Sequence, residues 1–159
     1  MLLGKTAEKL RAVGVETLAI VASQAERSRL FFRYRPVRCA VGADPELSTH
    51  RAYGVPQGGV TPEAMQAIAG AYGELARELK LEVPADQARD IIGRLDGFEV
   101  TESENAEFQR HQLQFTGQFL VDRHGIVRWA NIECAREGLA GIDKFPTDEE
   151  LLAVARALP

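Results

Sequence analysis

Residues 118–132 read QFLVDRHGIVRWANI, and this stretch decides the fold. Two apolar runs, 118–122 and 126–132, flank a short connection that ends in glycine. Such a connection is typical of a bulged β-hairpin, because glycine adopts the positive φ that the bulge requires. The stretch therefore predicts an antiparallel hairpin, which is the clearest local pattern in the sequence.

Toward the amino terminus, residues 17–22 (TLAIVA) form a short continuous apolar run. This run predicts a strand that is covered on both faces in a parallel sheet. Apolar residues at helical spacing predict an amphipathic helix over residues 2–13, which Gly14 ends. After the strand, Ser23 and Glu26 have the spacing of a capping box and predict a second helix.

Residues 37–41 alternate between apolar and other side chains, which predicts a second short strand that ends at Gly42. Asp44-Pro45 then predicts an N-cap followed by proline at the first helical position. This third helix is expected to reach Tyr53 and to stop at Gly54.

Residues 60–113 predict a helical insertion before the hairpin, joined to the preceding chain by a flexible Gly58-Gly59 pair. Asp96-Gly97 is expected to break the insertion between its second and third helices. The three helices are predicted to begin at these residues: Thr61, Pro84 and Ser103. After the hairpin, Thr147 and Glu150 form a capping box that predicts the last helix.

The chain has 159 residues, of which 45% are hydrophobic, and this length and composition predict one compact domain over residues 1–159. The alternation of predicted strands and helices makes it an α/β domain. Its formal net charge is −4, so we expect no general attraction for nucleic acid or for anionic lipid. The arginines at 33, 35 and 38 are interpreted as a solvated face.

No apolar run has the length of a membrane helix, and the first residues lack the apolar core of a signal peptide, so a cytoplasmic protein without a membrane partner is expected. Cys39 and Cys134 are the only cysteines and have no paired spacing, so both are expected to be free thiols. The histidines at 50, 111 and 124 lack the close spacing of a metal motif. Neither a metal nor an organic cofactor is expected.

Three phrases of the sequence resemble the thioredoxin-like redoxins of the alkyl hydroperoxide reductase/thiol-specific antioxidant (peroxiredoxin-like) family. They are TLAIVAS at 17–23, DPELSTHRAYGVP at 44–56 and FLVDRHG at 119–125. Together with the order of the predicted elements, the resemblance covers about two thirds of the chain, without the insertion. It implies a three-layer sandwich in which helices flank a mixed sheet, with the family's first strand missing.

In that family, a cysteine at the amino end of the first helix attacks a peroxide or a disulfide. The helix dipole and nearby positive charge favour the thiolate, which is the nucleophile. Residues 2–13 resemble the later turns of that helix, so the reactive cysteine would precede Met1 and has no equivalent here. Where thioredoxins have a cis-proline and many peroxiredoxins an arginine, this chain has Thr116-Gly117-Gln118.

The missing strand would lie in the middle of the sheet, between the strands at 17–22 and 118–122. Without it, two central edges would expose unpaired backbone groups. Three explanations stay open: an upstream segment supplies the strand, another copy donates it, or the sheet closes differently.

Cys134 precedes Arg136 and could act as a resolving or regulatory thiol if the cation lowers its pKa. An unreactive thiol at the end of a strand is the favoured interpretation, and Cys39 is interpreted as a core residue on a strand. Thr116 could contact a substrate or belong to an ordinary loop. Trp129 is interpreted as a packing residue rather than a binding surface.

Two functions follow from these observations. The first is a thiol-dependent oxidoreductase of the redoxin type, which in its complete form takes a hydroperoxide or disulfide substrate and a thiol reductant protein. The second is a redox-inert thioredoxin-fold binding or scaffolding module, in which the insertion and a homodimer create a surface.

Overall fold

A computed structural model describes residues 2–95 and 99–158. Over this range the chain is a mixed α/β protein with seven α-helices and three two-stranded sheets. The helices are α1 Leu2–Arg11, α2 Ala25–Tyr34, α3 Ser48–Ala52, α4 Pro62–Glu78, α5 Ala85–Arg94, α6 Glu102–His111 and α7 Asp148–Arg156. The strands are β1 Leu18–Val21, β2 Ala40–Ala43, β3 Gln57–Gly58, β4 Leu113–Gln114, β5 Gly117–Val121 and β6 Val127–Ile132. The helix break predicted at Asp96-Gly97 lies outside the described residues.

Contacts between Cα atoms divide the chain into two compact units, each described by itself. The first unit comprises Met1–Val55, Thr116–Ile132 and Phe145–Pro159. The second comprises Pro56–Phe115 and Glu133–Lys144, and therefore contains the predicted helical insertion.

In the first unit, β1 pairs with β2 in parallel, with Ala19 opposite Val41 and Ile20 opposite Gly42. The parallel pairing confirms the sequence-based expectation, but the expectation that β1 is covered on both faces is wrong. None of its four residues is buried, and Leu18 is 63% exposed. The reason is that β2 is the only strand paired with β1 in the described chain, so β1 lies at a sheet edge.

The hairpin pairs β5 with β6 in antiparallel orientation, with Leu120 opposite Trp129. The register shifts between Leu120 and Val121, and Gly125 in the connection has a φ of 78°. Both observations confirm the bulged hairpin, because a glycine at positive φ absorbs the extra residue without a Cβ clash.

A core cluster in the first unit joins α1, the hairpin and α7. Its buried members are Leu10, Leu120, Leu151 and Ala155, and Trp129 packs against them, as the sequence predicts for that tryptophan. The two helices are also joined by polar contacts, since Asp148 accepts hydrogen bonds from Thr6 (2.6 Å) and from Lys9.

The capping box at Thr147 and Glu150 is confirmed, whereas the one at Ser23 and Glu26 is wrong. Ser23 donates its backbone N–H to the carbonyl of Val21, so the chain is still turning out of β1 at that residue. The N-cap is therefore Gln24, and Glu26 lies one position too early to complete a capping box.

In the second unit, α4 packs against α5, and a Cβ at Gly73 would lie 3.1 Å from that of Ala85. Thr61 caps α4 as predicted, but α6 begins earlier than expected, because Thr101 forms a capping box with Glu104. The predicted flexible join at Gly58 is wrong, since Gly58 pairs with Leu113 in the β3–β4 ladder.

No helix within residues 2–95 and 99–158 combines the length and apolar character that crossing a bilayer requires.

Candidate active site

The two sheets of the first unit have two strands each, so every strand has one unpaired edge in the described chain, β1 and β5 among them. Strand β1 pairs only with β2, and β5 pairs only with β6, so the sheet does not close by pairing β1 with β5. These are the two edges between which the resemblance places a central strand. An unpaired edge presents a row of backbone N–H and C=O groups that another strand can bind.

The chain leaves β2 through a turn that the Asp44 carboxylate holds. The carboxylate accepts hydrogen bonds from the backbone N–H of Ser48 (3.0 Å), the hydroxyl of Ser48 (2.8 Å) and the backbone N–H of Thr49 (2.6 Å). The predicted N-cap at Asp44 with proline at the first helical position is wrong: the N-cap is Leu47 and the helix begins at Ser48, although the Asp44 carboxylate still accepts from the first two helical N–H groups. The reason is that Leu47 has a φ of 55° and bonds to the Asp44 carbonyl, forming a turn before the helix.

We expect the contribution of Asp44 to stability to disappear in acid. Burial raises the pKa of this carboxyl, but the hydrogen bonds from Thr49 and Ser48 outweigh that effect and lower the pKa from 3.8 to about 2. A depressed folded-state pKa means that the stabilisation is complete above the unfolded value and is lost as the pH falls through the folded one. Urea unfolding of the wild type and Asp44→Asn should therefore differ most above about pH 4. A difference that does not narrow toward pH 2 would contradict this assignment.

The end of α3 packs against the beginning of β5. The rings of Tyr53 and Phe119 lie 4.7 Å apart between centroids, and a Cβ built at Gly117 would lie 2.5 Å from Cγ2 of Val55. Thr116 immediately precedes Gly117, so this packing fixes the backbone next to the residue for which the sequence left a substrate contact and an ordinary loop open. The glycine is required here because any larger side chain would meet Val55.

Cys39 is a free, half-buried thiol in the first unit. Strand β2 begins at Ala40, so the prediction that Cys39 lies on a strand is wrong: it belongs to the bend that precedes the strand. It lines a groove between α2 and β2, and Thr116 is not among the residues that line that groove. The structure therefore places these two candidates in different surroundings.

Cys134 is a free, half-buried thiol in the second unit. Burial and the charge of Glu133 raise the pKa of this thiol, so the lowering that Arg136 could have produced is absent. Its backbone lies against the 3₁₀ turn Gly138–Gly141: the carbonyl accepts from the N–H of Gly138 (3.1 Å), and a Cβ at Gly141 would lie 3.4 Å from the Cys134 backbone. A raised pKa reduces the thiolate fraction, which favours a packing role.

Asp122 stabilises the hairpin turn, a role that the sequence motif did not reveal. Its side chain is fully buried and accepts hydrogen bonds from the backbone N–H of His124 (2.8 Å) and Ile126 (3.0 Å) and from Nε of Arg128 (2.7 Å). The bond from Ile126 is the largest of the effects that lower the pKa of this carboxyl. Asp122 therefore holds the turn, and His124 contributes its backbone N–H to it.

Within the part of the chain that the structure describes, no group of three or more His, Cys, Asp or Glu could hold a metal ion. Comparison of the chain with protein-family models, with curated proteins and with solved structures gives no match.

Proposed function

We propose that this chain forms the larger part of a thiol-dependent oxidoreductase of the redoxin type. The observation that carries the proposal is the pair of open edges on β1 and β5. A strand inserted between them would unite β2, β1, β5 and β6 into one mixed sheet. Such a sheet, with helices packed against it, would be the thioredoxin-like sandwich that the resemblance implies.

The chemistry needs a cysteine at the amino end of α1, supplied with the central strand. Its thiolate attacks the distal oxygen of a hydroperoxide, the O–O bond breaks, and the alkoxide takes a proton and leaves as an alcohol. The cysteine becomes a sulfenic acid, which condenses with a second thiol to a disulfide and releases water. A thiol reductant protein then restores the cysteine by disulfide exchange.

Gly117 packs against Val55 and so fixes the chain at Thr116, which directly precedes β5. Neither cysteine of the chain takes the role of the nucleophile, since Cys134 has a raised pKa and Cys39 lies in the groove beside α2.

The test adds a designed segment, an apolar strand followed by a cysteine, before α1. We expect this fusion to consume hydrogen peroxide with dithiothreitol at least about tenfold faster than the matched fusion that carries serine, because a helix amino end favours the thiolate. The unfused chain and its Cys39→Ser and Cys134→Ser variants should behave like the serine fusion. A folded cysteine fusion that is no faster than the serine fusion would overturn the proposal, as would unfused turnover that Cys134→Ser abolishes.

A redox-inert binding or scaffolding module is the second candidate. The raised pKa of Cys134 favours it for the chain alone, because a protonated thiol is a poor nucleophile. The same fusion experiment separates the two functions, since an inert module gains no turnover from an added cysteine.

A further inference from the structure

The first unit contains a groove of about 470 Å³ between α2 and the segment that leads into β2. One wall is a single stripe of α2, at positions 25, 28, 29 and 32, which follow helical spacing. The other wall includes positions 41 and 43, which lie on the same face of β2 because side chains alternate along a strand. The volume lies within the range of small-molecule sites, roughly 300–1,000 Å³.

The groove is lined mainly by apolar side chains that α2 leaves uncovered. Val41, for example, remains 36% exposed although α2 contacts β2. The apolar lining residues are Ala25, Phe32, Pro36, Val37, Val41 and Ala43. An apolar ligand that covers them would remove this surface from water, at about 25 cal/mol per Å².

The polar side chains of the groove differ in whether they are available to a ligand. Ser28 is buried, and its hydroxyl already donates to the carbonyl of Gln24 at 3.0 Å. Arg29 is the one charged residue that lines the groove, and it is exposed. Its guanidinium can therefore bind an anionic group at the mouth of an otherwise apolar site.

The charge around the groove also favours an anionic ligand. Residues 25–39 contain five arginines and one glutamate, a formal charge of +4 in a chain whose net charge is −4. Arg38 is paired with Glu8 at 2.8 Å, so it belongs to the contact with α1 rather than to the groove. Without Arg38, the same stretch has four arginines and one glutamate, a formal charge of +3, which favours an anion over a cation near the groove.

We propose that this groove binds a small carboxylate with an apolar tail. The tail lies along Phe32, Val37 and Val41, and the carboxylate pairs with Arg29 at the mouth. This site is independent of the proposed redoxin chemistry, because it needs neither the central strand nor a reactive cysteine.

Isothermal titration calorimetry tests whether the groove prefers an anionic ligand. It compares decanoate with decyltrimethylammonium, the matched amphiphile that carries a positive charge. Decanoate should bind more tightly than the cation, and Arg29→Gln should weaken decanoate about fivefold, the scale expected for an exposed ion pair. Arg123→Gln, at an exposed arginine in the hairpin turn, is the matched control and should leave the affinity unchanged. Equal binding of the two amphiphiles, or equal effects of the two variants, would overturn the proposal.

A second readout uses the position of Cys39 in the wall. In a Cys134→Ser background, decanoate should slow the alkylation of Cys39 by iodoacetamide, and Ala25→Phe, which fills the groove from the exposed first residue of α2, should remove the protection. Absence of protection in the folded protein would contradict the site. A dimer that Ala25→Phe converts to monomer, without decanoate binding, would assign the groove to a second copy and overturn the proposal.

Discussion

Replacing Leu120 by alanine should lower the free energy of unfolding by about 3 kcal/mol. Leu120 is 5% exposed and lies in the cluster that joins the hairpin to α1 and α7. Truncation loses the transfer free energy of the removed groups and leaves a cavity between elements that are far apart in sequence. Urea unfolding followed by the fluorescence of Trp129 measures the change, because that indole packs against the same cluster.

The neighbouring Val121→Ala is the matched control. Val121 follows Leu120 in β5 and is 40% exposed, so its truncation should cost less than about 1 kcal/mol. Equal destabilisation by the two variants would mean that the hairpin does not face the helices as described.

Gly117→Ala should destabilise the protein by about 2 kcal/mol, because it overpacks the contact between α3 and β5. The new Cβ would lie 2.5 Å from Cγ2 of Val55 and 2.7 Å from the ring of Phe119. Valine is stiff about χ1, so Val55 relieves the clash only by moving its backbone or by leaving its rotamer. Thermal or urea unfolding measures the effect.

Two further variants make this prediction specific. Gly70→Ala, in the interior of α4 with no atom within 4 Å of the new Cβ, should be neutral or stabilising by up to about 1 kcal/mol. In the double variant Gly117→Ala/Val55→Ala, the combined loss should be smaller than the sum of the single losses, because removing the Val55 methyls relieves the clash. Strict additivity would contradict the close contact.

The sequence predicted several helix boundaries correctly where the signal is local. Thr147 and Glu150 form their capping box within one turn, and Gly14 and Gly54 adopt the positive φ at which helices end. The same reasoning failed at Ser23, because its N–H is used by the turn out of β1. A capping-box pattern in the sequence does not show whether a neighbouring turn already uses the backbone of the capping residue.

The candidate site was less predictable than the fold class. The sequence named Thr116, Cys39 and Cys134, but it did not reveal that Gly117 is held against Val55 or that Glu133 and burial raise the pKa of Cys134. It also missed the β3–β4 ladder, whose partners Gln57 and Gln114 are brought together only by the helices between them. These features depend on contacts between residues distant along the chain.

The sequence by itself determined the elements whose bonds close within a few residues: the bulged hairpin at 118–132, the capped helix α7 and the glycines that end α1 and α3. Only the tertiary structure decided which residues these elements bury. It buries the carboxylate of Asp122 in the turn, leaves Leu18 exposed at the edge of β1, and gathers Arg29 and Val41 into one groove. The physical reason is that burial and charge environment depend on every neighbouring element, whereas backbone periodicity and capping depend on the nearest residues alone.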